Sequence, residues 1–388
     1  MKTPRFLPWL CVVMAWIASV EFTPANAAPN GAALDASHAS IQAAIAVQNK
    51  VSRELMAQPA VLGTAVGTDE ANEIVLIVYL DRENPGLAAA AGAVPVRMGG
   101  MNVRLEVTEK FRAFAGRGGG GGGGVGVSHK SKQNPPIQLG VSGGWRDDLA
   151  NGFCCGGTLG GLIQVHGVAY ILSNYHVFEA DIIPGGNGTF SGTGDPVIHP
   201  GLIDISCNAS AALNVASLVK LSALPSANVD CSIAQVVPGM VSATGSILQI
   251  GTLSSATLAP ALRQGAKKSG RTTGLTSSSI VGLNASVTIA YENECAGGQA
   301  FTKWFTGLIV MNNKGSRFLN YGDSGSIMVE NTATNPRAIG LLFAGSSSTA
   351  LAHPMDEVLT LVGSRLGGIA TMVGNCADSS ERPAAPDA

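Results

Sequence analysis

The sequence predicts a mainly β protein, a β-sandwich or a pair of barrels, preceded by a small α+β unit. Three observations carry this. From Ile137 onward, short apolar runs alternate with glycine, proline and asparagine, the spacing of many short strands. Helical periodicity is scarce in that stretch until Pro354 to Val362. Glycine is abundant, with 50 residues in 388, and aromatics are only 5%, which suits tight turns between strands.

The elements follow in order. Met1 to Arg5 is a short basic start, Phe6 to Val20 is apolar, and Ala25-Asn26-Ala27 supplies the small residues of a cleavage site. Residues 1–27 therefore read as a signal peptide cut after Ala27. The rival, an uncleaved membrane anchor, suffers from a short apolar run interrupted by Pro8. Residues 35–112 read as the α+β unit, pro-domain or accessory: a helix over Asp35 to Ala57, then strands at Val61 to Val66, Glu73 to Leu80, Val94 to Arg97 and Val103 to Val107. Residues 113–136 are a glycine-rich linker. A phosphate-cradling loop would need a strand before it, a helix after it and a Lys-Ser/Thr at fixed spacing, and these are missing.

Residues 137–376 hold the expected strands: Thr158 to Val165, Val168 to Leu172, Ile233 to Val237, Ile247 to Leu253, Val281 to Ala290, Phe305 to Met311, Ser326 to Val329 and Ala338 to Phe343. Residues 377–388 read as a disordered tail. A net charge of −2 and 13% charged residues describe a soluble globular protein and argue against a nucleic-acid partner, which calls for a basic surface. After signal removal no segment is long and apolar enough for a membrane, so the mature protein is expected to be secreted or periplasmic. Cys154, Cys155, Cys207, Cys231, Cys295 and Cys376 remain, an even count that reads as a disulfide set, with neighbours Cys154 and Cys155 each reaching a distant partner. No spacing suggests a metal site, and no cofactor is expected.

Three segments carry chemistry. His176 follows the apolar run Tyr170-Ile171-Leu172, and Asp230 opens another apolar run. Ser324 sits in Gly322-Asp323-Ser324-Gly325, where glycine tolerates the dihedrals of a strained turn. Taken singly, each is more often ordinary: a satisfied histidine, a turn cap, a loop serine. Together they supply nucleophile, base and orienting acid. Asp181, Asp195 and Asp204 compete for the acid's role but lie in glycine- and proline-rich loops rather than at a strand edge.

The chain order His, Asp, Ser matches chymotrypsin-type proteases. Leu172-Ser173-Asn174-Tyr175-His176-Val177, Val229-Asp230-Cys231-Ser232-Ile233-Ala234 and Gly322-Asp323-Ser324-Gly325-Ser326 resemble the three signatures of trypsin-like serine peptidases. Lys268-Ser269-Gly270-Arg271-Thr272-Thr273-Gly274 resembles the opening of the second barrel in the bacterial α-lytic and streptogrisin group. Ile339 to Gly345 resembles the strand that lines the primary pocket and pairs with substrate backbone.

This resemblance implies a double six-stranded barrel over roughly Pro136 to Cys376 and a serine endopeptidase working on protein or peptide substrates through an acyl-enzyme. It implies His176, Asp230 and Ser324 as the triad and the N–H groups of Gly322 and Ser324 as the oxyanion hole. It also implies Phe318, Phe343, Ala344 and Gly345 around the substrate, and a structural Asp323 that is satisfied internally. The chain departs from the family where a cysteine after the histidine and cysteines flanking the Gly-Arg-Thr-Thr-Gly segment are missing, so disulfide pairing does not carry over. Two other readings stand beside it: a catalytically weak or inactive pseudoprotease acting as a binding module, and an esterase. The N-terminal unit reads as a propeptide-like chaperone or block of the cleft, a docking module, or plain scaffold. The glycine linker and Lys130-Ser131-Lys132 look cleavable.

Overall fold

The computed structural model describes residues 34–113, 116–117, 127–150, 153–179, 191–291, 301–315 and 317–376. The expected signal peptide, the glycine-rich residues 118–126, Asp181, Cys295 and the tail 377–388 lie outside these.

The first barrel is built from Val141–Trp145, Phe153–Leu159, Gly161–Val165, Val168–Ser173, Pro196–His199, Leu213–Val219 and Ser232–Val236. All these neighbours pair antiparallel. Phe153–Leu159 at one end of the pairing order leads through Gly160 into Gly161–Val165 at the other, so the sheet curls back on itself as six strands. Inward side chains such as Leu159, Ile163, Leu172, Val215 and Ile233 fill the curl, the alternation expected of a small barrel.

The second barrel closes outright. Its ring runs Gly265–Gly270, Ile327–Glu330, Ala338–Gly345, Thr349–Pro354, Phe301–Asn312 and Gly274–Tyr291, and Gly274–Tyr291 pairs again with Gly265–Gly270. The expected double six-stranded barrel is therefore present. The helix Met355–Leu366 follows, its buried face of Met355, Val358, Leu359 and Val362 joining the first barrel's core. Acids in its first turn and Arg365 in its last complement the helix dipole, and left-handed Gly367 ends it.

The N-terminal unit continues the second sheet. Val61–Thr68 pairs with Gly274–Tyr291, with Gly63 opposite Val287 and Gly67 opposite Gly282. A Cβ on Gly63 would sit 2.5 Å from the Ser286 carbonyl, so only glycine permits this approach. Ile74–Asp81 and Met101–Thr108 extend the sheet outward. The helix Ala39–Leu55 lays Ile41, Ala44 and Leu55 into one apolar cluster with Ile280, Ile309 and Met311 of the barrel. Two short segments that follow pair with the barrels. Phe111–Ala113 is parallel to Gly274–Tyr291 and antiparallel to Ala338–Gly345, and Gly116–Arg117 pairs with Phe153–Leu159.

Several expectations are corrected. Ile247 to Leu253 is a turn, closed by Gly251 N–H to Ile247 O and by Ile247 N–H to Gly251 O, with left-handed Gln249 inside it. Of Val94 to Arg97 only Arg97 is in a strand, the two-residue Arg97–Met98 that pairs with Met101–Thr108; just before it lies the helix Leu87–Ala93, favoured by its alanine run. The cysteine set is incomplete: Cys154 bonds Cys207 and Cys155 is disulfide-bonded, but Cys231 is a buried free thiol and Cys376 an exposed one. Cys231 leads into the apolar strand Ser232–Val236 and packs there as a small hydrophobe, its thiol pKa pushed up by burial.

Candidate active site

His176 sits on the short helix Tyr175–Phe178 that leaves the strand Val168–Ser173. Asp230 lies just before Ser232–Val236, the partner of that strand. Strand pairing thus delivers both residues to one edge of the first barrel, where His176 Nδ1 lies 2.7 Å from Asp230 Oδ2 and both side chains are buried. The other carboxylate oxygen accepts the Tyr175 N–H at 2.7 Å, and Asn174 donates to the Asp230 carbonyl at 2.7 Å. The second barrel completes the shell. Tyr291 donates its hydroxyl to Asp230 Oδ2 at 2.8 Å, and His353 Nε2 accepts the Asp230 N–H at 3.0 Å. Burial works to raise the Asp230 pKa, but the neighbouring His176 and the hydrogen bonds from His176 and Tyr291 outweigh it and hold the carboxyl below its ordinary range. Burial drives His353 down to about 3, so this ring is neutral at pH 7.

Ser324 belongs to the second barrel but is fixed from both sides. Its carbonyl accepts the Thr158 N–H of the first barrel at 2.8 Å, and its hydroxyl donates to the Phe343 carbonyl at 3.0 Å. The flanking glycines are required. Gly322 and Gly325 have φ of 92° and 93°, and a Cβ on Gly325 would run into Thr158 O and Ser173 Oγ. The fold therefore brings His176 and Asp230 into direct contact, while the Ser324 hydroxyl donates to Phe343 O rather than to the ring. Among the described residues, buried His176 Nε2 has no hydrogen-bond partner, and no acceptor takes the N–H of Gly322 or Ser324.

Asp323 is fully buried. It accepts from the N–H groups of Asn320, Thr272 and Thr273 and from the Thr273 hydroxyl, and it faces buried Lys268 Nζ at 3.4 Å. The competing acids have other duties. Asp204 forms a bidentate, nearly buried pair with Arg271 at 2.8 and 2.6 Å, and Asp195 accepts from Trp145 Nε1 and Gly192 N–H.

The expected substrate residues divide. Phe318 is buried in the core cluster with Leu319, Met328 and Ile339. The Phe343 ring stacks on His353, with centroids 4.2 Å apart, and meets Phe305 edge-on. Ala344 and Gly345 present backbone, which pairs with Ala113 and Arg112. Sequence reading missed Tyr291 and His353 as partners of Asp230. Each lies at the end of a strand, more than sixty positions from Asp230, with no local pattern to mark it.

No protein-family model matches the chain, and no curated protein matches it significantly. Solved structures similar to it include Thermobifida fusca protease A, at 16% identity and a TM-score of 0.38, covering 62% of this chain and 99% of that one. Nocardiopsis protease is similar at 15% identity and a TM-score of 0.38, over 61% of this chain and 98% of its own. Cellulomonas bogoriensis chymotrypsin is similar at 18% and 0.33, over 56% and 91%. Among the described residues, no helix is long and apolar enough to cross a membrane.

Proposed function

We propose that this chain is an exported serine endopeptidase that hydrolyses peptide bonds through Ser324, His176 and Asp230. The observation that carries the reading is the buried His176–Asp230 contact at 2.7 Å, and a serine held on a glycine-flanked turn supports it. Asp230 accepts the Nδ1 proton and so leaves Nε2 as the base. In this reading the Ser324 hydroxyl leaves Phe343 O and donates to that nitrogen. Ser324 Oγ then attacks the substrate carbonyl carbon while its proton passes to His176 Nε2. The C–N bond breaks, the leaving amine takes the proton, and water repeats the sequence on the acyl-enzyme. The N–H groups of Gly322 and Ser324 stabilise the oxyanion, each contributing about 3 kcal/mol to lowering the barrier. Export rests on the signal-like start of the sequence and agrees with the Cys154–Cys207 disulfide.

A fluorophosphonate probe tests this on the mature protein. It is expected to add covalently to Ser324, and Ser324→Ala and His176→Ala should abolish the adduct and peptide hydrolysis. A folded protein that neither labels nor cleaves peptides would leave the binding-module reading in its place.

A further inference from the structure

The Gly322 N–H belongs to the Tyr321–Gly322 peptide, the middle plane of a four-residue turn. Asp323 N–H closes that turn on Asn320 O at 2.9 Å, and Gly322 has a φ of 92°. A positive φ at the third position alone marks a type II turn. Its middle plane is the soft part: turned over, it gives a type I turn with the same ends, and glycine accepts either form. Turning it over would carry the Gly322 N–H to the opposite side. Here the plane is held by its carbonyl. Thr272 Oγ1 donates to Tyr321 O at 2.6 Å, and the peptide is trans, so the Gly322 N–H faces away from Thr272. The same hydroxyl oxygen accepts from Arg271 Nη1 at 3.1 Å. Arg271 is itself fixed, because Nε and Nη2 grip Asp204 at 2.8 and 2.6 Å and Asp204 Oδ2 also accepts from Ser142 Oγ at 2.6 Å. A Cβ on Gly322 would lie 2.6 Å from Thr272 Oγ1 and 2.9 Å from Arg271 Nη1, so both side chains close directly on the turn.

We propose that Thr272 is a positioning residue for the oxyanion hole. Its hydroxyl holds the Tyr321–Gly322 peptide in the orientation that offers the Gly322 N–H to a substrate, and Arg271 and Asp204 hold the hydroxyl. This rests on the endopeptidase reading. The other donor, the Ser324 N–H, is secured from within its own turn. Its peptide carbonyl, Asp323 O, accepts the Ser326 N–H at 3.0 Å as well as the Ser326 hydroxyl at 2.5 Å. The carbonyl between them, Gly322 O, accepts the Thr158 hydroxyl at 3.0 Å, and Thr158 Oγ1 accepts the Arg271 N–H at 3.0 Å. Arg271 and Thr272 thus act on two successive carbonyls of the turn, one through Thr158 and one directly. Thr272 touches neither Ser324 nor His176 through any of these bonds; it works through the plane it holds.

The test compares wild type with Thr272→Val, which keeps the shape and removes the hydroxyl, and Thr272→Ser, which keeps the hydroxyl. Each is first shown to be folded by its melting curve; should valine prevent folding, Thr272→Ala carries the same expectation. On one fluorogenic peptide that wild type cleaves, Thr272→Val should lower kcat about tenfold and leave KM within about twofold. Thr272→Ser should recover most of that loss. A peptidyl boronate, whose tetrahedral adduct on Ser324 turns an oxygen toward the hole, should bind Thr272→Val about tenfold more weakly. Asp204→Asn should lower kcat too, and by less when residue 272 is already valine, since both act through one hydroxyl. Fully additive losses would overturn the part given to Asp204. A folded Thr272→Val with wild-type kcat, a loss confined to KM, or a Thr272→Ser as slow as Thr272→Val would overturn the proposal while sparing the endopeptidase reading. A wild type inert to peptides and to the fluorophosphonate probe would remove both.

Discussion

The Tyr291 hydroxyl donates to Asp230 Oδ2 at 2.8 Å, sharing that oxygen with His176 Nδ1. The phenol comes from the second barrel and the carboxylate from the first, so this bond ties the orienting acid to the barrel that carries the serine. Tyr291→Phe is expected to cost about 1.5–3 kcal/mol, the range for a hydrogen bond to a charged group. Because Tyr291 touches Asp230, kcat should fall by about tenfold while KM holds. Tyr291 also helps hold the Asp230 pKa down, and a depressed carboxylate stabilises the fold above its unfolded pKa and loses that contribution as pH falls through the folded one. Urea unfolding at neutral pH and at about pH 3 should therefore show the variant's deficit shrinking in acid.

His353 sets a different acid sensitivity. Unfolded, it takes up a proton near pH 6.5; folded, burial holds the proton off until about pH 3. Between those values the unfolded state binds the extra proton, so stability falls as pH falls. The expected loss is about 2–3 kcal/mol between pH 6.5 and roughly pH 4.5. His353→Gln keeps an acceptor for the Asp230 N–H and cannot titrate. Its stability curve should be flatter over that window than the wild type's.

The turn glycines allow a controlled comparison. Gly325→Ala places a methyl against Thr158 O and Ser173 Oγ at a φ of 93°. Backbone strain alone costs about 1–3 kcal/mol, and the clash adds to it. Fluorophosphonate labelling of Ser324 should slow by about a hundredfold or more, since roughly 2.7 kcal/mol of misplacement suffices. Gly239 also has a positive φ, 77°, but a Cβ there meets nothing within 4 Å. Gly239→Ala should cost about 1 kcal/mol and leave labelling unchanged.

Local patterns made much of this legible. The helix near residues 39–55, the strand Val168–Ser173 and the turn around Ser324 each follow from short-range periodicity or glycine placement. Chain order and strand edges were enough to prefer Asp230, and the buried Arg271 pair explains why Asp204 does something else. Long-range pairing was not legible. Nothing local tells Gly63 that it will lie against Val287, or Ala113 that it will lie against Ala344, because register is set where two distant segments meet. Phe318 shows the same limit: the resemblance offers it to the substrate, while packing decides that its ring belongs to the core.

Lys268 and Asp323 carry a consequence for regulation. Both are buried and both come from the second barrel, so the charge opposite Asp323 is built into the same fold as the turn it steadies. That turn takes its shape without waiting for a newly cut chain end. The geometry around the nucleophile is thus a property of the barrel that carries it, secured by one charge pair inside its own core.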